Sequence, residues 1–304
     1  MDVQPLFDML ELWPMAKSNY MALDNLQFRE VNHSAPSITL MFNPERIRST
    51  AAKVDSASIC NRPCFLCKEN RPTEQRAIAW RNYDVLVNPY PIFKHHLTIV
   101  DRTHCAQDIG GRAGDMYALA LELRDYSIFY NGPLSGASAP DHFHFQAGDG
   151  MFAPSPLQRE VDANPQILIF EDDELGSIAA SEATGRLIYH LMPKNETAAV
   201  KLGSKLCSMR ILHRNMINVI ARARPEGSAG PAVDMYLVQR RLFRPWQYSA
   251  EGNDRILLSP AAVEVGGIYV LPRREDFDRI TSEQAVSIMK QVCFEHDSQL
   301  YRLD

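Results

Sequence analysis

From residue 131 to residue 146 the chain runs Asn-Gly-Pro-Leu-Ser-Gly-Ala-Ser-Ala-Pro-Asp-His-Phe-His-Phe-Gln. On a strand, His142, His144 and Gln146 would share one face, while Phe143 and Phe145 would turn to the other and anchor it in a core. The preceding loop is rich in small residues, so its backbone N–H groups and the hydroxyls of Ser135 and Ser138 could approach a phosphate closely. Such a set suits attack on a phosphate ester. A neutral imidazole is nucleophilic near neutral pH, because its unperturbed pKa is about 6.5. If one ring nitrogen donates to a backbone carbonyl, the other holds its lone pair towards phosphorus. Ser138, loop amides and Gln146 could then donate to the equatorial oxygens of the transition state. Gln146 is an amide and a poor general acid, which favours leaving groups already stable as anions. An isolated His-x-His is ordinarily a pair of part-buried strand histidines; the small-residue loop, the third polar residue and the two aromatics turn the reading here to function.

A second constellation is Cys64-x2-Cys67. A tight turn there would present two sulfurs to one ion, and a tetrahedral site needs two more ligands, for which His104 and His142 are the candidates. The six cysteines, at 60, 64, 67, 105, 207 and 293, are too sparse for a secreted disulfide framework and read as reduced thiols. Arg240, Arg241 and Arg244 form a short basic turn, read as solvated surface in preference to a phosphate contact. His190, His213 and His296 lie in apolar patterns and read as structural. Asp141 could orient a histidine or a substrate hydroxyl, or cap a turn.

These groups need elements to hold them. Leu6–Leu26 has helical spacing interrupted at Pro14. Ser37–Phe42, Tyr83–Asn88, His96–Val100, Ser127–Tyr130 and His142–Ala147 read as strands, and Gly114–Arg124 as a helix. Beyond Pro154 and Pro156, Gln166–Glu171, Leu187–Leu191, Met235–Gln239 and Gly267–Leu271 read as strands. Ala198–Arg224 reads as one long helix whose stripe Leu206, Met209, Leu212, Met216 and Ile220 faces the core, and Ser282–Leu300 as a closing helix. Strands followed by a helix, repeated once, predict an α+β chain of two similar halves, 1–155 carrying the histidine motif and 156–304 completing the fold.

His142-Phe143-His144-Phe145-Gln146 resembles the His-x-His-x-Gln motif of the transferase branch of the histidine-triad superfamily. That branch includes galactose-1-phosphate uridylyltransferase, diadenosine tetraphosphate phosphorylase and the GDP-hexose phosphorylases, and the loop from Tyr130 to Ala147 is most similar to the last. The resemblance is strong over residues 83–150 and faint elsewhere. It implies an antiparallel sheet with packed helices. It also implies that His144 becomes nucleotidylated, that Gln146 holds the phosphoryl group, that Ser138 contacts phosphate and that Asn131 shapes the loop, with Gly132, Ser135 and Gly136 lining it. His96 matches a histidine that precedes an apolar strand in the superfamily, and is expected among the substrate-binding residues. Lys94 and His95 depart from the small or acidic residues usual there, and Lys94 is open to two readings, a phosphate contact or a solvated charge. Zinc-bearing members place ligands at positions matching Cys64, Cys67, His104 and His142, which implies a structural zinc.

The remaining expectations come from bulk properties. A net charge of −5 argues against a broad nucleic-acid-binding surface, so phosphate recognition must be local. No apolar run approaches the ~20 residues of a membrane span, and Met1–Pro5 lacks the character of a secretory leader, so a cytoplasmic protein is expected. The function expected is a phosphorylase-type nucleotidyltransferase acting on a nucleoside diphosphate sugar, with phosphate as acceptor. The alternatives are a dinucleoside polyphosphate phosphorylase, a hexose-1-phosphate uridylyltransferase and, in another class, a non-catalytic nucleotide-binding protein. Homodimers are common in the families it resembles.

Overall fold

The computed structural model describes residues 1–31, 38–47, 58–59, 62–149, 156–208, 213–228, 230 and 232–295. Its frame is a ten-stranded sheet in which every neighbouring pair is antiparallel. The first half contributes β3 (Ala77–Trp80), β4 (Tyr83–Val87), β5 (His96–Asp101), β6 (Tyr126–Asn131) and β7 (His144–Asp149). The second contributes β8 (Gln166–Asp172), β9 (Gly176–Ala183), β10 (Arg186–Pro193), β11 (Ile217–Ala223) and β12 (Val233–Gln239). Across the sheet the order is β3-β4-β5-β7-β6-β11-β12-β10-β9-β8. Read inward from either edge, each half is a three-strand meander whose last strand is joined through a helix to the central pair. The fourth and fifth strands change places in the same way in both halves. The halves meet where β6 pairs with β11, Asn131 opposite Asn218. A smaller sheet has β2 (Ile38–Phe42) between antiparallel β1 (Gln27–Val31) and parallel β13 (Ile268–Leu271).

Period-two alternation sends each strand's side chains to two different cores. Phe143, Phe145, Tyr130, Ile99 and Leu237 enter one, covered by the helices Ala113–Glu122 and Glu196–Cys207. Phe143 and Phe145 meet edge to face at 4.9 Å, and each ring buried contributes about 2–3 kcal/mol. That fixes which way the alternate residues His144 and Gln146 point. The opposite face carries the second core, under the small sheet and the helices Pro156–Ala163, Ala262–Val265 and Ser282–Val292. Over β4–β7 this face is left open as a cavity.

Two sequence expectations change. Pro14 does not interrupt a helix; it begins the helix Pro14–Met21, where its missing N–H costs nothing. The long helix over 198–224 ends at Cys207, and Ile217–Ala223 is β11, so the proposed stripe is not one helix face. Leu206 closes the helix, Met216 is in a short turn and Ile220 is on a strand; Met209 and Leu212 lie outside the described residues. The β-branched Ile217, Val219 and Ile220 prefer the pleated, half-shared surface to a helix. Ser37, Cys60, His296 and the end of the predicted closing helix also lie outside the described residues, as do 150–155, where the two halves join.

Candidate active site

The cavity holds about 650 Å³, ample for a nucleotide-sized ligand. Its floor is the open sheet face. Leu86, Thr98, Gln146 and Phe129 form one cross-strand row, and His144 and Asn131 project beside it. Gly136 to Ser138 form one wall, the turn after Cys64 another, and Phe243, Arg244, Ala261 and Glu264 of the second half a third. The second half of the same chain therefore closes the site.

His144 sits at the start of β7, 3% exposed. Its Nδ1 donates to the carbonyl of His142 at 2.9 Å, so Nε2 keeps its lone pair, and among the described residues nothing bonds to it. Burial pushes the imidazole down to about 4, leaving it neutral at neutral pH. Its backbone is clamped by Gln107, a buried side chain that accepts from His144 N at 2.8 Å and donates to the carbonyls of His144 and Asn131 at 2.9 and 3.0 Å. Gln107 was not expected from the sequence.

His96 is fully buried and does not reach the cavity, which removes it from the substrate contacts expected of it. Its Nδ1 accepts from the Ile92 N–H at 3.0 Å, so Nε2 carries the proton and donates to Gln146 Oε1 at 2.9 Å. Asn88 adds a longer contact to the same oxygen at 3.4 Å. With Oε1 occupied, the amide NH2 of Gln146 is left to donate into the cavity. His96 thus orients Gln146, and burial holds its own pKa down, to about 3.

The loop residues divide. Ser138 is exposed at the cavity wall. Ser135 is sealed inside, its hydroxyl donating to the Ile217 carbonyl at 2.7 Å, so it offers nothing to a ligand. Gly132 is buried where a Cβ would lie 2.8 Å from the Asn215 carbonyl and 3.0 Å from that of Ile217, so only glycine fits. Gly136 has φ +108°, and a Cβ would lie 2.5 Å from that of Ala261. Asn131 Oδ1 accepts from Asn218 Nδ2 and from the Ala262 N–H, both at 2.8 Å, tying the loop to the second half. Lys94 is exposed on the turn before β5 and does not line the cavity.

His142 precedes β7 rather than lying on it and does not face the cavity. Its ring joins Cys64, Cys67 and His104, whose ligand atoms all lie within 4.8 Å of one another. Cys64 Sγ and Cys67 Sγ are 3.3 and 3.5 Å from His142 Nδ1, and Cys67 Sγ is 3.2 Å from His104 Nδ1. A tetrahedral zinc with its usual bond lengths sets sulfur and nitrogen about 3.5 Å apart. His142 Nε2 donates to the Asp101 carbonyl at 2.8 Å, which directs the Nδ1 lone pair at the cluster. The four residues fit a metal ion. Cys105 faces Arg112 instead.

The sequence reading also missed Arg46 and Arg62 and misjudged Arg244. Arg46, Arg62 and Arg244 all line the cavity. Arg62 donates to the Ser138 carbonyl at 3.1 Å and faces Asp141 at 3.6 Å, so Asp141 anchors a wall. The solvated reading of the basic turn fails for two of its members: Arg240 is fully buried and Arg244 faces the cavity. His190 is buried against Asp234 at 2.8 Å, as a structural histidine would be. His213 is exposed.

Residues 6–149 match the family described as Domain of unknown function (DUF4922). No curated protein matches the sequence. Among solved structures, yeast Ap4A phosphorylase Apa2 is similar, with a TM-score of 0.61 at 13% identity, covering 94% of this chain and 98% of that one. Its complex with Ap4A gives 0.59 at 15% identity, covering 94% and 98%. No helix among the described residues is long and apolar enough to cross a membrane. The chain has the fold of yeast Ap4A phosphorylase Apa2, with its own His144 and Gln146 on the floor of the cavity.

Proposed function

We propose that the protein is a nucleotidyltransferase of the phosphorylase type that works through a nucleotidyl-histidine at His144. The observation that carries this reading is the state of that ring: neutral, with Nδ1 committed to a backbone carbonyl and Nε2 unbonded among the described residues, in a cavity shared with Gln146 and the Gly136–Ser138 loop. Nε2 attacks the α-phosphorus of a nucleoside diphosphate hexose. The bond from phosphorus to the bridging oxygen breaks, and hexose 1-phosphate leaves as an anion that needs no proton. The Gln146 amide, Ser138 and loop N–H groups donate to the non-bridging oxygens. Inorganic phosphate then attacks the same phosphorus, breaks the P–N bond and departs as the nucleoside diphosphate, restoring His144.

A dinucleoside polyphosphate donor is the second reading. The three guanidiniums of Arg46, Arg62 and Arg244 around one cavity favour it, since they suit a longer phosphate chain. Zinc, held by Cys64, Cys67, His104 and His142, would supply a structural link between the Cys-x2-Cys turn and the start of β7. A reducing, cytoplasmic setting would keep Cys64 and Cys67 available as metal ligands. The test is a panel of nucleoside diphosphate hexoses and dinucleoside polyphosphates, each offered phosphate or hexose 1-phosphate as acceptor, with products identified by mass. Turnover of a nucleoside diphosphate hexose with phosphate supports the first reading. Turnover of dinucleoside polyphosphates alone supports the second, and ligand binding without turnover would leave a nucleotide-binding protein instead.

A further inference from the structure

Arg240 is fully buried, and its surroundings are unusual for a cation. All five N–H donors of its guanidinium are used, none of them on a carboxylate. Nε donates to the Val292 carbonyl at 3.0 Å. One terminal nitrogen donates to Asn218 Oδ1 at 3.0 Å and to the Pro260 carbonyl at 2.7 Å. The other donates to the carbonyls of Leu242 and Phe243 at 3.0 and 3.1 Å. Among the described residues no carboxylate lies within ion-pair distance. Glu264, whose field it feels, is itself buried with its carboxyl pushed up from the ordinary range by that burial.

These five bonds gather the second half's share of the cavity wall. The Leu242 and Phe243 carbonyls precede Arg244, and Phe243 and Arg244 line the cavity. The Pro260 carbonyl precedes Ala261, on which Gly136 is packed. Asn218, buried on β11, passes the constraint on: while Oδ1 accepts from Arg240, Nδ2 donates to Asn131 Oδ1 and to the Ser135 carbonyl, each at 2.8 Å. The loop beside His144 is thus two hydrogen bonds from an unpaired cation. A buried charge without a counter-ion is costly. An anion in the adjoining cavity would offset part of that cost.

We propose that Arg240, acting through Asn218, is the positioning residue that sets the Asn131–Ser138 loop against His144 and favours a phosphate there over an uncharged ligand. As an account of catalysis this rests on nucleotidyl transfer at His144; as an account of phosphate preference it does not. Two variants test the two roles, one changing charge and position together and the other position alone. Asn218→Asp keeps the shape, pairs the guanidinium and cannot donate to Asn131 or Ser135. Arg240→Lys keeps the charge and loses the planar fork that spans three segments.

Adenosine and AMP, or guanosine and GMP if the wild type prefers them, are titrated by calorimetry alongside thermal unfolding and the rate of nucleotidylation. In Asn218→Asp the advantage of the monophosphate over its nucleoside is expected to fall about tenfold with nucleoside affinity held. Nucleotidylation is expected to slow about 100-fold, the scale of a misplaced loop. In Arg240→Lys the monophosphate's advantage persists while nucleotidylation slows about tenfold; if Asn218→Asp does not fold, this split alone tests the positioning. Equal weakening of nucleoside and monophosphate, or no change in either variant, overturns the proposal. A wild type that never becomes nucleotidylated, yet shows the shifted preference in Asn218→Asp, would sink the proposed function and leave this inference standing.

Discussion

Gln107 offers a quantitative test of how the nucleophile is held. Replacing it with leucine removes a side chain of similar size that satisfies three backbone groups: the N–H and carbonyl of His144 and the carbonyl of Asn131. The residue is 1% exposed, so water does not take its place without rearrangement. A buried polar group left unpaired costs about 1–3 kcal/mol, and leucine recovers some apolar burial, so Gln107→Leu should lose about 3–6 kcal/mol. That is a large share of a typical domain's stability. Urea unfolding followed by fluorescence reads it as a lower midpoint with unchanged slope. Where folded protein persists, nucleotidylation should fall about 100-fold, since His144 and the Asn131 loop lose their common clamp. Gln107→Glu keeps the acceptor for His144 N–H but sets a carboxylate against two carbonyls, and should be as damaging at neutral pH. A loss below about 1 kcal/mol in Gln107→Leu, with activity retained, would refute the idea that this side chain fixes the site.

Other consequences can be measured on the same protein. Burial pushes His144 and His96 down, to about 4 and about 3, against an ordinary 6.5, so below pH 6.5 the unfolded chain takes up protons that the fold refuses. Stability should therefore be flat above pH 6.5 and fall towards pH 4, by about 1.4 kcal/mol per unit for each imidazole, as urea midpoints across that range will show. The nucleotidylation rate should keep its nucleophile down to about pH 4 wherever the fold survives, and an acid limb near 6.5 would argue against a neutral buried ring. Stripping metal with a chelator should lower the thermal midpoint by at least about 5 °C, and zinc should restore it; the same treatment of Cys67→Ser should do little. Gly136→Ala places a Cβ against Ala261 at positive φ and should cost about 1–3 kcal/mol along with most of the activity, read by unfolding and turnover together.

What could be read from the sequence followed from local pattern. The alternation in His142–Gln146 put Phe143 and Phe145 in one core and His144 and Gln146 towards the cavity, because strand parity is a local property. The four metal-fitting residues were also named: the Cys-x2-Cys turn offers two sulfurs, and the family resemblance pointed to His104 and His142, which lie just after β5 and just before β7. The failures are of another kind. β9, Gly176–Ala183, is rich in alanine and serine and carries no strand signal of its own; it is a strand because β8 and β10 flank it. β11 was read as helix because Leu206, Met216 and Ile220 happen to fall at helical spacing. Misreading it hid Asn218, a polar residue inside an apolar strand and the one local hint of the buried network. Gln107, Arg62 and Arg240 lie in segments of no regular structure or at a strand end, and only the fold brings them to partners 20 to 76 positions away. His96 illustrates the limit of matching by position: its place was right, but only the direction of its hydrogen bonds shows that it serves Gln146 and not a ligand.

The central claim is that His144 forms a covalent bond to phosphorus. Its most direct test is the intact mass of the protein after brief incubation with each candidate donor in the absence of phosphate, followed by peptide mapping. One nucleoside monophosphate should be added per chain, on the peptide that carries His144, stable in base, lost in acid, discharged by inorganic phosphate and missing from His144→Ala. A folded protein that binds donors yet never gains that mass, or gains it on another residue, would contradict the account.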